Sequence, residues 1–217
     1  MRLPNDSQRL TIYGMTGSGK TIAALWHLSK RSYTTRPWVI VNSKGDETID
    51  SIPYTHELDL KDTPKKPGIY IVRPIPEVDD EKIDALFWRI WERGKIGCMI
   101  DEGYMIPRKS SAFKALLTQG RSKSIPMITL SQRPVWMSRF VISEADFHQV
   151  FFLSDTADRD VVQRFIPYEI SENRLPKFHS YYYDIGDDDF TPLRPVPKPD
   201  EILETFEARL RKTPRFL

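Results

Sequence analysis

The chain has 217 residues, 40% of them hydrophobic and 29% charged, a balance that is typical of globular proteins and excludes a disordered chain. Its length fits one α/β domain with at most a small addition. Because 32 basic residues stand against 30 acidic ones and the net charge is only +2, any nucleic-acid binding must come from local basic patches. The single cysteine, Cys98, excludes an internal disulfide, and the four histidines lack zinc-ligand spacing.

The N-terminal segment lacks a basic start followed by a long apolar stretch, so we expect no signal peptide. The longest apolar runs are far shorter than a membrane span requires. Together with the lone cysteine, these features predict a protein of a reducing, cytoplasmic environment that is not itself membrane-spanning.

Strands and helices alternate along most of the chain, which predicts an α/β fold with a mostly parallel central sheet flanked by helices. Residues 10–13 form an apolar-rich strand that runs into a glycine-rich loop, and residues 20–30 continue as a helix with Ile22, Leu25 and Trp26 on one face. Further strands are predicted at 39–41, 69–72, 96–100, 127–130 and 149–153, and further helices at 79–93, 110–119 and 156–165.

The character of the sequence changes after about residue 172. Residues 178–185 and 190–193 flank Gly-Asp-Asp-Asp and predict a β-hairpin, a proline-rich linker follows, and residues 200–212 have the pattern of an amphipathic helix. We therefore divide the chain into a core, residues 1–172, and a C-terminal appendage, residues 173–217. On the hairpin, one face of the Tyr181, Tyr182 and Tyr183 run is expected to pack and the other to be exposed.

The glycine-rich loop reads Gly-Met-Thr-Gly-Ser-Gly-Lys-Thr and matches the phosphate-binding (Walker A) pattern at every position. The glycines let backbone N–H groups surround phosphates, the lysine reaches the β and γ phosphates, and the threonine hydroxyl coordinates Mg²⁺. The preceding strand and following helix argue against an accidental glycine-rich turn. The predicted nucleotide-binding residues are Gly14, Met15, Thr16, Gly17, Ser18, Gly19, Lys20 and Thr21.

An acidic pair, Asp101 and Glu102, follows the apolar strand at 96–100. The first carboxylate is placed to hold Mg²⁺ as a Walker B aspartate, and the second to act as the general base on the attacking water. Such a pair can also be a solvated turn, but a phosphate loop requires a partner of this kind. The guanine-reading Asn-Lys-x-Asp motif is absent, so the pattern favours hydrolysis of ATP with Glu102 as the base.

The phosphate loop, the Ile100-Asp101-Glu102 box, Gly120-Arg121 and the run from Thr129 to Pro134 together resemble the FtsK–HerA superfamily of ring-forming, DNA-pumping ATPases. The resemblance covers roughly residues 8 to 166 and implies a RecA-like (ASCE) P-loop fold. It also implies that Gln132 is a sensor beside the γ-phosphate, and that Arg121 reaches the ATP of a neighbouring subunit as an arginine finger.

Simpler roles remain open for both residues: Gln132 can cap a strand end and Arg121 can be a solvated helix end. Other arginines are rival fingers, namely Arg133, Arg139, Arg159 and Arg164. Members of the superfamily often carry Asp-Pro-Lys after the second strand, where this chain has Asn42-Ser43-Lys44. Lys44 is retained as a contact candidate.

A chain of this length that consists almost entirely of the ATPase core resembles the genome-packaging ATPases of tailless, membrane-containing icosahedral viruses with double-stranded DNA. That resemblance implies a DNA translocase, in a hexameric ring, that docks on a capsid, portal or membrane protein and occupies the host cytoplasm and the packaging vertex of the virion. The cofactors implied are ATP and Mg²⁺. Basic side chains that could face DNA in a ring lumen, or belong to ordinary solvated loops, are Lys61, Lys65, Lys66, Arg108, Lys109 and Lys114.

Two other functions remain as alternatives. One is an extrusion or secretion ATPase of the filamentous-phage type, although such proteins usually carry a membrane segment. The other is a nucleotide-dependent assembly module with little turnover, which the presence of Glu102 and Gln132 argues against.

Overall fold

The computed structural model describes residues 1–170 and 175–211, and within these residues nine strands form one sheet. The strand order is β3-β4-β2-β5-β6-β1-β7-β8-β9. The strands are β1 Arg9–Tyr13, β2 Pro37–Asn42, β3 His56–Glu57, β4 Gly68–Val72, β5 Gly97–Asp101, β6 Met127–Ser131, β7 Phe147–Phe151, β8 Ser180–Asp184 and β9 Asp189–Leu193.

Helices cover both faces of the sheet, and several of them begin at a residue whose side chain caps the helix start. Asp155 and Ser110 cap two of them by accepting hydrogen bonds from backbone N–H groups. The helices are α1 Lys20–Ser29, α2 Glu47–Asp50, α3 Asp80–Arg93, α4 Ser111–Gln119, α5 Arg139–Ser143, α6 Thr156–Gln163 and α7 Pro199–Leu210.

All pairings along the sheet from β3 to β7 are parallel, whereas β8 pairs antiparallel with both β7 and β9, so β8 alone runs against the other strands. Every residue of β1, β2, β5, β6 and β7 is buried, as expected for parallel strands that are covered on both faces. Packing on one face is provided mainly by α3 and α4, and on the other by α1 and α7. The predicted α/β fold with a mostly parallel sheet is confirmed.

Parallel pairing brings the carboxyl ends of β1, β2, β5 and β6 to the same edge of the sheet. This edge, where ligands bind in open α/β sheets, carries the phosphate loop after β1 and the acidic residues at the end of β5. The order of the strands places β1 between β6 and β7, so the loop has the acidic pair on one side and the end of β7 on the other.

The apolar face predicted for α1 packs against the core. Leu25 is buried, and Ile22 and Trp26 are half-buried and contact the same core cluster. The helix also buries Ala23 and Leu28. His27 is buried as well, and its Nε2 lies 2.8 Å from Oε1 of Gln149, so the buried surface is wider than the apolar pattern alone indicated.

Three short elements were not predicted, namely α2, α5 and the two-residue strand β3. The helix expected at 200–212 is observed as α7, and Lys212 lies outside the described residues. On β8, Tyr182 and Tyr183 are both buried and Tyr181 is half-buried. Tyr182 stacks on His27 of α1 on one face of the sheet. On the other face, Tyr183 packs edge-on against Tyr168. The expectation of one exposed face is therefore wrong.

The C-terminal hairpin is present and continues the main sheet through β7 and β8. Helix α7 packs against the other end of the phosphate-loop helix: the ring of Phe206 lies 5.4 Å from that of Tyr33, and Arg209 donates a 2.7 Å hydrogen bond to the carbonyl of Arg31. The division of the chain at residue 172 stays a prediction. Through residues 1–170 and 175–211, the helices are all too short or too polar to cross a bilayer.

Candidate nucleotide site

The phosphate loop connects β1 to α1 in a conformation that depends on its glycines. Gly17 and Gly19 have φ angles of 75° and 99°, in the region that side chains disfavour. At Gly14, a Cβ would lie 2.7 Å from the Cβ of Phe151, so no larger residue fits. Lys20 begins α1 and is 7% exposed. The loop thus brings Lys20 to the edge where β5 and β6 end, 3.3 Å from Glu102.

Glu102 lies at the centre of this edge, between two lysines. Its Oε1 is 3.3 Å from Nζ of Lys20 and 3.0 Å from Nζ of Lys44, and its Oε2 accepts a 2.9 Å hydrogen bond from the backbone N–H of Gln132. The residue is 1% exposed. A buried carboxylate of this kind requires charge partners, and Glu102 has two lysines at Oε1.

The backbone of Glu102 has φ 61° and ψ 73°, a left-handed conformation that is uncommon for residues other than glycine. Such conformations cluster at functional sites, where the surrounding structure holds them. Here the strained backbone of Glu102 turns its carboxylate back toward Lys20.

Gln132 follows β6 and connects the phosphate loop to the loop after β5. Its Oε1 accepts a 2.5 Å hydrogen bond from Oγ1 of Thr16, and its Nε2 donates to the hydroxyl of Tyr104 at 3.1 Å. The ring of Tyr104 in turn lies 5.7 Å from that of Trp136. The predicted sensor residue therefore contacts the nucleotide loop on one side and a surface aromatic on the other.

A set of oxygen atoms suited to Mg²⁺ lies beside the loop, and one of its members was missed from the sequence. Oγ1 of Thr21 is 3.5 Å from Oδ2 of Asp46. Asp101 is 3% exposed, and burial, followed by the charges of Glu102 and Asp46, raises its pKa to about 6. Two carboxylates that repel each other in a buried place are the arrangement that a hard divalent cation relieves. Asp46 lies four residues beyond the end of β2 and caps α2 by accepting a hydrogen bond from the backbone N–H of Thr48. An aspartate that starts a helix just beyond the carboxyl end of a parallel strand is the signal that could have revealed it.

The loop also has an unused polar atom. Oγ of Ser18 is buried, and within the described part of the chain it has no hydrogen-bond partner. Buried hydroxyls are normally paired, so this atom, together with the glycine loop and Lys20, fits a ligand rich in acceptor oxygens. The residues present therefore fit a nucleotide triphosphate with Mg²⁺.

Arg121 lies far from this site within its own subunit. It follows α4, is 62% exposed on its side chain, and its Nη1 is 3.6 Å from Oδ1 of Asp146, the residue before β7. It therefore occupies the amino-terminal edge of the sheet, opposite the phosphate loop. The geometry does not bring Arg121 to Lys20 or Glu102 of the same chain.

The rival arginines are placed differently. Arg133 is at the phosphate-loop edge, but Asp155 at 3.3 Å and Asp158 at 3.1 Å already hold its guanidinium. Arg159 donates to the carbonyl of Leu153 at 2.8 Å. Arg139 and Arg164 line one surface cavity near α5 and α6.

Of the basic residues suggested for DNA contact, Arg108 donates to the carbonyl of Trp136 at 3.0 Å, and Lys114 lies 4.8 Å from the centre of the Phe140 ring. Both side chains are engaged within the subunit. Trp136, at the same surface, is 50% exposed. The loop after β5 and the loop after β6 therefore form one surface next to the predicted sensor.

Comparisons with known proteins bear on the identity of this site. No family model matches the chain. The genome packaging NTPase B204 from Sulfolobus turreted icosahedral virus 2, in complex with ATP-gammaS, has a similar structure with a TM-score of 0.71 and 18% identity, over 89% of this chain and 100% of that one. The Thermomonospora curvata protein EccC (ATPases 2 and 3) gives 0.60 and 10% over 88% of this chain and 37% of its own. These likenesses show the fold.

The sequence comparison is much stronger. The DNA packaging ATPase P9 of Enterobacteria phage PRD1 is 51% identical over an alignment of 216 residues that covers 95% of this chain and 95% of the relative. Identity at this level over nearly the whole length is well beyond what a shared fold produces. The chain belongs to the family of the PRD1 DNA packaging ATPase P9.

Proposed function

We propose that this chain is an ATP-hydrolysing translocase that drives viral double-stranded DNA into a capsid. The family relationship gives the class of activity. The observation that carries the chemistry is the position of Glu102, which is held between Lys20 and the backbone of Gln132 where the attacking water must lie.

Each group has a distinct task in this proposal. The loop N–H groups and Lys20 bind the phosphates, while Thr21 and Asp101 hold Mg²⁺, which offsets phosphate charge when bound. Glu102 accepts the proton of the attacking water, and the amide of Gln132 orients that water against the γ-phosphate. Lys20 now contacts Glu102, and phosphates in the loop compete for the same lysine, so ATP binding loosens one of the restraints on the base.

The proposal extends to the assembly. Arg121 is exposed at the edge opposite the phosphate loop, so in a head-to-tail ring, which we take to be hexameric, it can reach the ATP of a neighbour. The ring would surround duplex DNA and dock on a capsid, portal or membrane protein of the virion. Its places of action are then the host cytoplasm and the packaging vertex.

The test is a steady-state ATPase assay with Mg²⁺, with and without duplex DNA, on the wild type and on Glu102→Gln. Removal of a positioned base costs roughly 10² to 10⁴ in rate, so the variant should lose the DNA-stimulated rate while it still binds ATP. Glu92→Gln is the matched control, because it makes the same change of charge on the exposed side of α3, and it should keep the wild-type rate.

Other outcomes identify the alternative functions. Hydrolysis that duplex DNA does not stimulate contradicts DNA translocation and favours an extrusion or secretion ATPase. Tight ATP binding without phosphate release, in the presence or absence of DNA, contradicts the enzyme and favours an assembly module.

A further inference from the structure

A cavity of about 340 Å³ opens beside the phosphate loop, between the start of α1 and the C-terminal segment. This volume falls in the range of roughly 300–1,000 Å³ that is typical of small-molecule sites. The core contributes Gly19, Ile22 and Phe151 to its lining, and the C-terminal segment contributes Phe178 and residues 195–199. The walls are mostly apolar, in contrast to the charged edge around Glu102.

Phe178 is the unusual residue of this cavity. It has a φ angle of 64° and is 43% exposed, although a bulky side chain is disfavoured in that conformation. Its ring reaches the loop closely: a Cβ on Gly19 would lie 3.1 Å from Cδ1 of Phe178. A strained and exposed aromatic ring does not contribute to a core, so the conformation requires another explanation.

The topology shows which part of a nucleotide would reach this cavity. Glu102 and Gln132, which face the γ-phosphate, follow β5 and β6 on one side of β1, whereas Phe151 ends β7 on the other side. Gly19 and Ile22 flank Lys20 and Thr21, whose backbone begins α1 and binds the phosphates. A nucleotide with its γ-phosphate at Glu102 therefore extends its sugar and base across the helix start toward β7 and the cavity.

We propose that this cavity binds the nucleobase of the ATP whose hydrolysis is proposed above, and that the ring of Phe178 stacks on the base. The lining offers aromatic, aliphatic and proline surface, which suits a flat purine. The C-terminal segment thereby gains a role: it completes the ATP site from the side opposite the catalytic carboxylate.

The test compares two ligands of the full chain by calorimetry in the presence of Mg²⁺. One is a non-hydrolysable ATP analogue, and the other is inorganic tripolyphosphate, which occupies the loop without a base. Phe178→Ala should weaken the analogue about tenfold or more, as loss of one base–aromatic stack does, and leave the affinity for tripolyphosphate unchanged. Phe178→Trp should retain analogue binding.

Two further variants complete the test. Phe178→Leu keeps apolar bulk without an aromatic face, so it should also lose affinity for the analogue, and it replaces the alanine variant if that protein does not fold. Ile185→Ala, which truncates another exposed apolar residue of the same appendage, should change neither affinity.

Equal losses for both ligands in the Phe178 variants, or no loss for either, overturn the base site. So does wild-type protein that binds the analogue no more tightly than tripolyphosphate. A failure of duplex DNA to stimulate hydrolysis contradicts the translocase but leaves this binding comparison intact, so the two proposals fail separately.

Discussion

At the residue scale, the contact between Lys44 and Glu102 links β2 to the predicted catalytic base. Burial alone lowers the pKa of Lys44, but its hydrogen bond to Glu102 and the charge of that carboxylate raise it, and the pKa lies above its usual value. The lysine is therefore charged at neutral pH. A fixed cation 3.0 Å from Oε1 keeps Glu102 in one orientation whether or not Lys20 is drawn away by phosphates.

We predict that Lys44→Met lowers kcat for ATP hydrolysis about tenfold, which is less than the roughly 10² to 10⁴ expected for loss of the base itself, because Glu102 is still present. The KM for ATP should change little, because Lys44 contacts the carboxylate and not the phosphate loop. Lys44→Arg should recover part of the rate, since a cation is retained. Steady-state kinetics measures this, and an unchanged or higher kcat in Lys44→Met contradicts it.

The ionised carboxylate of Asp101 lowers the free energy of unfolding of the metal-free protein at neutral pH. Its pKa is about 6 in the folded chain and about 3.9 in an unfolded one, so the folded state holds the proton more tightly. Stability is therefore lost as pH rises through this window, and the cost above pH 6 is about 3 kcal/mol, at 1.36 kcal/mol for each pH unit.

We predict that Asp101→Asn raises the free energy of unfolding of the metal-free protein at pH 7 by up to about 3 kcal/mol. The gain should shrink as pH falls below 6 and vanish near pH 3, about one unit below the unfolded pKa, where the wild-type carboxyl is protonated in both states. Urea unfolding in the presence of a chelator, at several pH values, measures the difference between the two proteins. A difference that does not depend on pH, or that has the opposite sign, contradicts the prediction.

At the scale of elements, the sequence predicted the site residues whose positions depend on strand ends and helix starts. Asp101 ends β5, Glu102 and Gln132 directly follow strands, and α1 begins with Lys20 and Thr21. Parallel strands bring such positions to one edge of the sheet. The motifs and the parallel fold together were therefore sufficient to predict this cluster.

The remaining contacts depend on information that a linear pattern lacks. Lys44 was a contact candidate from its position after β2, but Asp46 was missed. Asp46 caps α2, and a four-residue helix has too little periodicity to be recognised. The burial of His27 on α1 was not predicted because it depends on Gln149, a partner 122 residues away. Phe178 was missed since its backbone conformation, and not its residue type, sets its position.

Helix α7 and the C-terminal segment that lines the cavity both contact α1. Phe206 and Arg209 hold the far end of α1, while Phe178 and residues 195–199 meet its first turn. The C-terminal segment therefore contacts the phosphate-loop helix at both ends. A nucleotide bound between Phe178 and Ile22, as proposed above, would connect the two parts of the chain and would couple ATP binding to the packing of the appendage.

At the scale of the whole molecule, the two edges of the sheet have different tasks. One edge carries the phosphate loop and the predicted base, and the other carries Arg121 beside Asp146. A chain with the proposed ATP site on one edge and an exposed guanidinium, 3.6 Å from Asp146, on the opposite edge is suited to head-to-tail contacts, in which the next copy would complete each site.

We predict that Arg121→Ala binds ATP normally but lowers the DNA-stimulated ATPase rate by about 10³ or more, the effect of a lost arginine finger. In mixtures with wild type, the activity should fall more steeply than the wild-type fraction, because one defective subunit silences the site of its neighbour. Arg164→Ala, made in parallel, removes a rival arginine and should reduce activity in proportion to its fraction or not at all. If the dilute monomer hydrolyses ATP as fast as the assembled protein, or if the mixtures lose activity linearly with Arg121→Ala, the arginine acts within its own subunit or has no catalytic part.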